Sequence, residues 1–173
     1  MIKKHILGAL ALSMLIPLSV GAQTLTTKSN TKATTTATQK DPARVPYASQ
    51  IKLGKQTIKT NNKTNQTIKA AIKGKLVQVR TLIAQDKTNK TLKTKKDALK
   101  AQRALIKADK TALKGINVKL VADKKIAKTD VTNKNYAALV SDLNNIASLQ
   151  TSETPILQKL SSDLDTLISS LSK

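Results

Sequence analysis

Aliphatic side chains recur at intervals of seven through the middle of the chain, at Leu92, Leu99, Ile106, Leu113 and Leu120, with Ala98, Leu105 and Ala112 each one residue ahead of three of them. An α-helix turns once every 3.6 residues or so, and a strict seven-residue stripe therefore drifts by about 20° per repeat around a straight helix. It stays on one seam only if the helix coils left-handedly about a partner. The feature demands a long helix packed lengthwise on other helices.

The flanking sequence extends the helical reading in both directions. Beyond Pro46 only Gly54, Gly74, Gly115 and Pro155 disfavour helix, while Ala, Leu, Lys and Gln, all strong helix formers, dominate. Ile51, Ile58, Ile68, Ile72, Leu76, Val79 and Ile83 share one helical face, which Asn61 and Asn65 interrupt. Near the end, a spacing of alternating fours and threes runs through Leu139, Leu143, Ile146, Gln150, Glu153, Leu157, Leu160, Leu164, Leu167 and Leu171. Its phase passes through Pro155 unchanged, which favours one helix bent at the proline over two helices, because a turn would reset the phase. Polar runs at 86–89 and 128–133 mark the turns. The expected helices are then 47–87, 90–127 and 133–171, each about 60 Å long at about 1.5 Å per residue.

Three long helices with short connections fold most simply as an elongated antiparallel three-helix bundle or coiled coil, running up, down and up. The fold class is all-α. Its seam is expected at Leu92, Leu99, Ile106, Leu113 and Leu120 in the middle helix and at Leu157, Leu160, Leu164, Leu167 and Leu171 in the last. A core without Phe or Trp, with Asn and Asp on its stripes, is slender. A helical hairpin that dimerises, or another homo-oligomer, is the alternative.

The first 22 residues read as a secretory signal: Lys3 and Lys4, a mainly apolar run from Ile6 to Val20, then Gly21 and Ala22, with cleavage expected after Ala22. The apolar run is shorter than the roughly 20 residues that span a bilayer, and Pro17 interrupts it. A secreted or extracytoplasmic location, in the cell envelope or periplasm, is the expectation, with no transmembrane segment after cleavage. Residues 23–46 are Thr, Ser, Lys, Asn and Ala with few large apolar side chains. Such a stretch cannot offset its ordering entropy and reads as a disordered tether.

Composition narrows the chemistry. Cys, Trp and Phe are absent, and the one His and both Met (His5, Met1, Met14) fall in the leader. No imidazole or thiolate is left for catalysis or metal ligation, and no phosphate-cradling or calcium loop occurs. Asp163 and Asp165 are two apart and cannot share a helix face, while Asp109 and Asp123 lie near the middle-helix seam and read as ion-pair partners of lysines. The sequence implies no enzyme, cofactor or metal.

Charge is the feature left over. The chain holds 31 Lys and Arg against 10 Asp and Glu, a formal +21. Residues 47–131 hold 22 Lys and Arg against five Asp, a net +17, whereas 132–173 hold three Lys against four acids, a net −1. In the middle helix Lys93, Lys100, Lys107 and Lys114 follow seam residues by one, and Lys96, Arg103, Lys110 and Lys124 follow them by four. Basic rows are expected on both flanks of the seam, their stems covering apolar surface while the ammonium groups stay in water. Rows of point charges suit a flexible polyanion, so an anionic polymer of the envelope or matrix is the expected partner, held by Lys93, Lys96, Lys100, Arg103, Lys107, Lys110 and Lys114. Sequence-specific nucleic acid binding is not expected, because the helical region has only Arg80 and Arg103 for base readout and only Tyr47 and Tyr136 for stacking. The alternatives are a holdase-type chaperone outside the cytoplasm and a passive coiled-coil spacer or oligomerisation stalk.

Overall fold

The structure, a computed structural model, describes residues 41–89, 93 and 95–173. The leader, the tether up to residue 40 and the first seam residue, Leu92, lie outside the described residues. A short 3-10 helix, Pro42–Tyr47, leads into α1, Ala48–Asn89; α2 is Lys96–Thr132 and α3 is Tyr136–Ser172.

The helices form an antiparallel three-helix bundle. Asn61 of α1 reaches Ala147 and Thr151 of α3, and Lys75 reaches Ser161 and Asp165, so α1 and α3 run in the same direction. Lys159 of α3 meets Asp109 of α2, and Asp163 meets Gln102, so α2 runs against them. The close backbone approaches are between α1 and α3 and between α2 and α3, which makes α3 the spine.

Sequence explains the spine. The alternating fours and threes bury one side chain per half-turn of α3 from Leu139 to Leu171, all ten positions being buried. Each fully buried Leu or Ile contributes about 1.5–3 kcal/mol relative to exposure. The apolar positions separate into two clusters. Ile51, Leu120, Ala127, Leu139, Leu143 and Ile146 fill one end. Ile72, Val79, Leu99 and Ile106 pack on Leu157 through Leu171 at the other. Of the expected seam, Leu99, Ile106 and Leu120 are buried with all five α3 leucines, while Leu113 is half-buried against the second cluster.

Between the clusters lies a polar layer. Asn65, only 1% exposed, donates from Nδ2 to the Gln150 carbonyl and to Glu153 Oε2, both at 2.9 Å, and Thr154 Oγ1 donates to Asn65 Oδ1 at 2.7 Å. Lys69 pairs with Glu153 at 2.6 Å. The layer abuts Pro155, through which α3 continues as one helix. Proline has no N–H to offer the preceding turn, and the side chains of Asn61 and Asn65 donate to the carbonyls of Ala147 and Gln150 just upstream of it.

Three boundaries differ from expectation. α2 starts at Lys96, not 90, which leaves Lys93 in the connection. It then runs through the polar run at 128–133 as far as Thr132, because Ala127 is buried and the Thr129 and Thr132 hydroxyls bond the carbonyls four residues back instead of breaking the helix. The turn falls at Asn133–Asn135, where Lys134 takes φ 56° and Asn135 N–H closes on the Asp130 carbonyl at 2.9 Å, a helix-ending motif usually served by Gly. Finally, residues 41–46, read as the end of the tether, are ordered. Asp41 caps the 3-10 helix through the Ala43 N–H at 3.1 Å, and Tyr136 Oη donates to the same carboxylate at 3.0 Å.

Among the described residues, Gly54 is the one glycine that packing requires. A Cβ there would stand 3.0 Å from Leu143 Cβ on α3, whereas at Gly74 and Gly115 it would meet nothing within 4 Å. Gly54→Leu should cost about 1–3 kcal/mol by overpacking, and Gly115→Ala should add about 0.8–1 kcal/mol of helix propensity; urea denaturation of both variants checks the contrast. By the same measurement Asn65→Ala should cost about 1–3 kcal/mol, because it strands buried polar partners.

Candidate functional site

The α2 heptad fixes where its lysines point. A residue one past a seam position is turned by about 100° from it, and one four past by about 40° in the same sense. Lys100, Lys107 and Lys114 therefore share a flank with Lys96, Arg103 and Lys110. This corrects the expectation of a basic row on each side of the seam. The other flank, three past each seam position, carries Gln102, Asp109, Ile116, Asp123 and Asp130 and is turned to α3. There Gln102 Nε2 donates to the Asp163 carbonyl at 2.7 Å, and Lys159 Nζ bridges Asp109 at 3.1 Å and Asp163 at 2.8 Å.

Of the seven candidate contacts, Lys93, Lys96, Lys100, Lys107 and Lys114 are exposed, and Arg103 and Lys110 are half-buried on the side facing α1. None takes part in the ion pairs of the bundle, which engage Lys69, Lys75, Lys95, Lys134 and Lys159. Burial, with the nearby Arg80 guanidinium adding repulsion, holds the Lys110 ammonium below the ordinary lysine range.

Arg80 belongs to a row that sequence reasoning passed over. Lys52, Lys59, Lys73, Arg80 and Lys87 follow one another at multiples of seven, with Gln66 in the one missing place, and all five are exposed. The signal was the same period that marked α2. It was obscured because α1 was read by its apolar face alone.

The acids are placed oppositely. Asp86 and Asp109 are buried at 7% and 6% exposure, and Glu153 at 6%. Burial raises the Asp142 carboxyl above the ordinary range, and the nearby Asp130 and Asp123 carboxylates push the same way. Asp163, by contrast, is held below that range: burial works to raise it, but hydrogen bonds led by that from Lys159 prevail. No group of three or more His, Cys, Asp or Glu among the described residues is arranged to hold a metal ion, and none of the described helices is long and apolar enough to cross a membrane. A shallow depression of about 240 Å³ beside Gly54, lined by Leu53, Val140 and Ala147 with Gln50 and Asn144, follows from the close approach of α1 to α3 and offers no charged group.

The fold and the site together define an all-α bundle with a cationic outer surface on two of its helices. Comparison with known proteins found no matching family model, no matching curated protein and no matching solved structure.

A carboxyl whose folded pKa is raised binds its proton more tightly in the folded state, and stability then falls as pH rises from the unfolded value through the folded one. Asp142→Asn should therefore raise the melting temperature at pH 7 and flatten the pH dependence between about 4 and neutrality, as scanning calorimetry would show. Below that window both proteins should lose stability, as Asp163 and Asp41, whose carboxyls are held low, become protonated.

Proposed function

We propose that this is a secreted, non-enzymatic basic helical protein that binds anionic polymers of the cell envelope or matrix through the lysine-rich faces of α1 and α2. The observation that carries the reading is the segregation of charge. Buried acids such as Asp86, Asp109 and Glu153 are spent inside the bundle, while among the described residues the mostly exposed basic rows of α1 and α2 form no ion pair. Uncompensated lysines repel one another, and an anionic partner relieves that repulsion. The leader-like residues 1–22 support a location outside the cytoplasm. Exposed large aliphatic side chains, such as Leu53, Val77 and Leu105, lie singly apart from the neighbouring Val118 and Val121, which favours charge over apolar capture as the mode of binding.

Co-sedimentation of the purified protein with isolated envelope material across a salt series tests the reading. Binding should weaken steeply and in a log–log linear manner from low salt to about 0.5 M, where charges are screened within a few Å. Salt-independent binding, or none at low salt, would refute it.

A further inference from the structure

The polar layer between the two apolar clusters brings an amine, a carboxylate and a carboxamide into contact. Lys69 Nζ lies 2.6 Å from Glu153 Oε1, and the other oxygen of that carboxylate accepts from Asn65 Nδ2 at 2.9 Å. The carboxamide is held at its remaining polar positions as well. Nδ2 also donates to the Gln150 carbonyl at 2.9 Å, and Oδ1 accepts from Thr154 Oγ1 at 2.7 Å, a shorter contact than the 3.3 Å from the same hydroxyl to the Gln150 carbonyl. Asn65 and Glu153 are buried, at 1% and 6% exposure, while the Lys69 side chain keeps 31% of its surface open to solvent. Lys69 stands four residues after Asn65 on α1. The two side chains therefore rise from neighbouring places on one helix face, with Cβ atoms about 5–6 Å apart, and meet on the two oxygens of one carboxylate from α3.

We propose that this cluster closes an amide bond between Lys69 and Asn65: Nζ attacks the carboxamide carbon Cγ, the Cγ–Nδ2 bond breaks, and ammonia leaves. The proposal is independent of the polyanion reading. Glu153 takes a proton from the Lys69 ammonium along the 2.6 Å contact, which frees the nitrogen lone pair for attack. Negative charge then develops on Asn65 Oδ1, where the Thr154 hydroxyl already donates, the place that an oxyanion-stabilising group takes in acyl transfer. The attacking nitrogen must lose a proton and the leaving nitrogen must gain one, and Glu153 touches both. Of the hydrogens on the ammonium and the carboxamide, the new amide keeps one, ammonia departs with three and Glu153 holds the last, so neither oxidant nor reductant is needed. Burial of Asn65 keeps water from competing with the amine. Gln150 Oε1, buried in the same layer and without a hydrogen-bond partner among the described residues, stands three residues before Glu153 on α3, where it is an acceptor for the proton that Glu153 gains. Since Glu153 and Thr154 come from α3, folding itself assembles the reactants. The product is a covalent brace across one turn of α1 beside Pro155, and α1 loses one positive charge.

Tryptic peptide mapping of the purified full chain by mass spectrometry tests the bond. Trypsin does not cut after a lysine whose Nζ is part of an amide, so the expected product is an uncut Thr64–Lys73 peptide, lighter than its sequence by one ammonia and giving no backbone fragments between Asn65 and Lys69. Intact mass alone does not decide, because an N-terminal glutamine, or an asparagine that closes on its own backbone, also sheds ammonia; in both of those cases Lys69 is still cut. Glu153→Gln and Lys69→Arg should each abolish the linked peptide, with circular dichroism reporting that the helices are kept. Thr154→Val should slow its appearance roughly hundredfold, the effect of removing one oxyanion donor, while Thr154→Ser, which keeps the hydroxyl, should not. Should Glu153→Gln fail to fold, the contrast between the two Thr154 variants makes the same discrimination. Recovery of Thr64–Lys69 at its full sequence mass from folded wild-type protein would overturn the proposal. So would loss of ammonia with Lys69 still cut, or a linked peptide that persists in Glu153→Gln.

Discussion

Repulsion between two polycationic helices is the condition the rest of the bundle must satisfy. Residues 47–131 carry 22 Lys and Arg against five Asp, so like charges on α1 and α2 repel one another. The mediator is α3, which carries four acids against one Lys and is buried at ten positions along its length. Each basic helix packs on it in preference to the other. At a surface separation of about 4 Å in water a like-charge pair costs only about 1 kcal/mol, less than one well-buried leucine contributes. The two apolar clusters along α3 are thus enough to hold two cationic helices, provided their lysines stay on the wet side. Asp109 on the inner flank of α2 completes the arrangement: it pairs with Lys159 of α3 and leaves the outer rows unneutralised.

An aliphatic seam without aromatic shapes repeats itself every heptad, and repetition alone does not specify alignment. The polar contacts supply what the leucines lack. Were α1 to slip by one heptad, Asn65 would face aliphatic side chains and Glu153 would lose both its hydrogen bond and Lys69. At one end Lys95 joins all three helices, donating to Asp86 of α1 at 3.0 Å and to the Leu171 carbonyl at 2.6 Å, where a cation also suits the negative end of the α3 dipole. At the other end Asp41 receives Tyr136 and lies 3.4 Å from Lys134.

The helical class, the up-down-up order and most of the seam were legible in the sequence because all three follow from periodicity, a property of the chain taken locally. Pro155 was legible for the same reason, since Leu157 keeps the phase set by Ile146. What escaped depended on three-dimensional partners. The Lys128–Asn133 run reads as a break until the Thr129 and Thr132 hydroxyls are seen bonding back along the helix. Asp41 reads as part of a polar tether until Tyr136, 95 residues on, is found beside it. For the site, the α2 lysines stand out as a group by their spacing, while their common flank follows only from the turn of about 100° per residue about the seam. The α1 row from Lys52 to Lys87 was as periodic as the α2 rows, but it lay beside the stronger apolar face of the same helix.

An odd number of helices has a mechanical consequence. α1 and α3 run in parallel, so Asp41 and Leu171 sit at opposite poles of a rod roughly 55 Å long, the length of the 37-residue α3. Tension applied between those poles is borne along the α1–α3 interface in shear, with the Asn61, Asn65, Lys69 and Lys75 contacts loaded together. A bundle with an even number of helices would bring its poles together and peel one contact at a time. The parallel pairing of α1 and α3 thus means that a pull between those two points loads their interface lengthwise and not end by end.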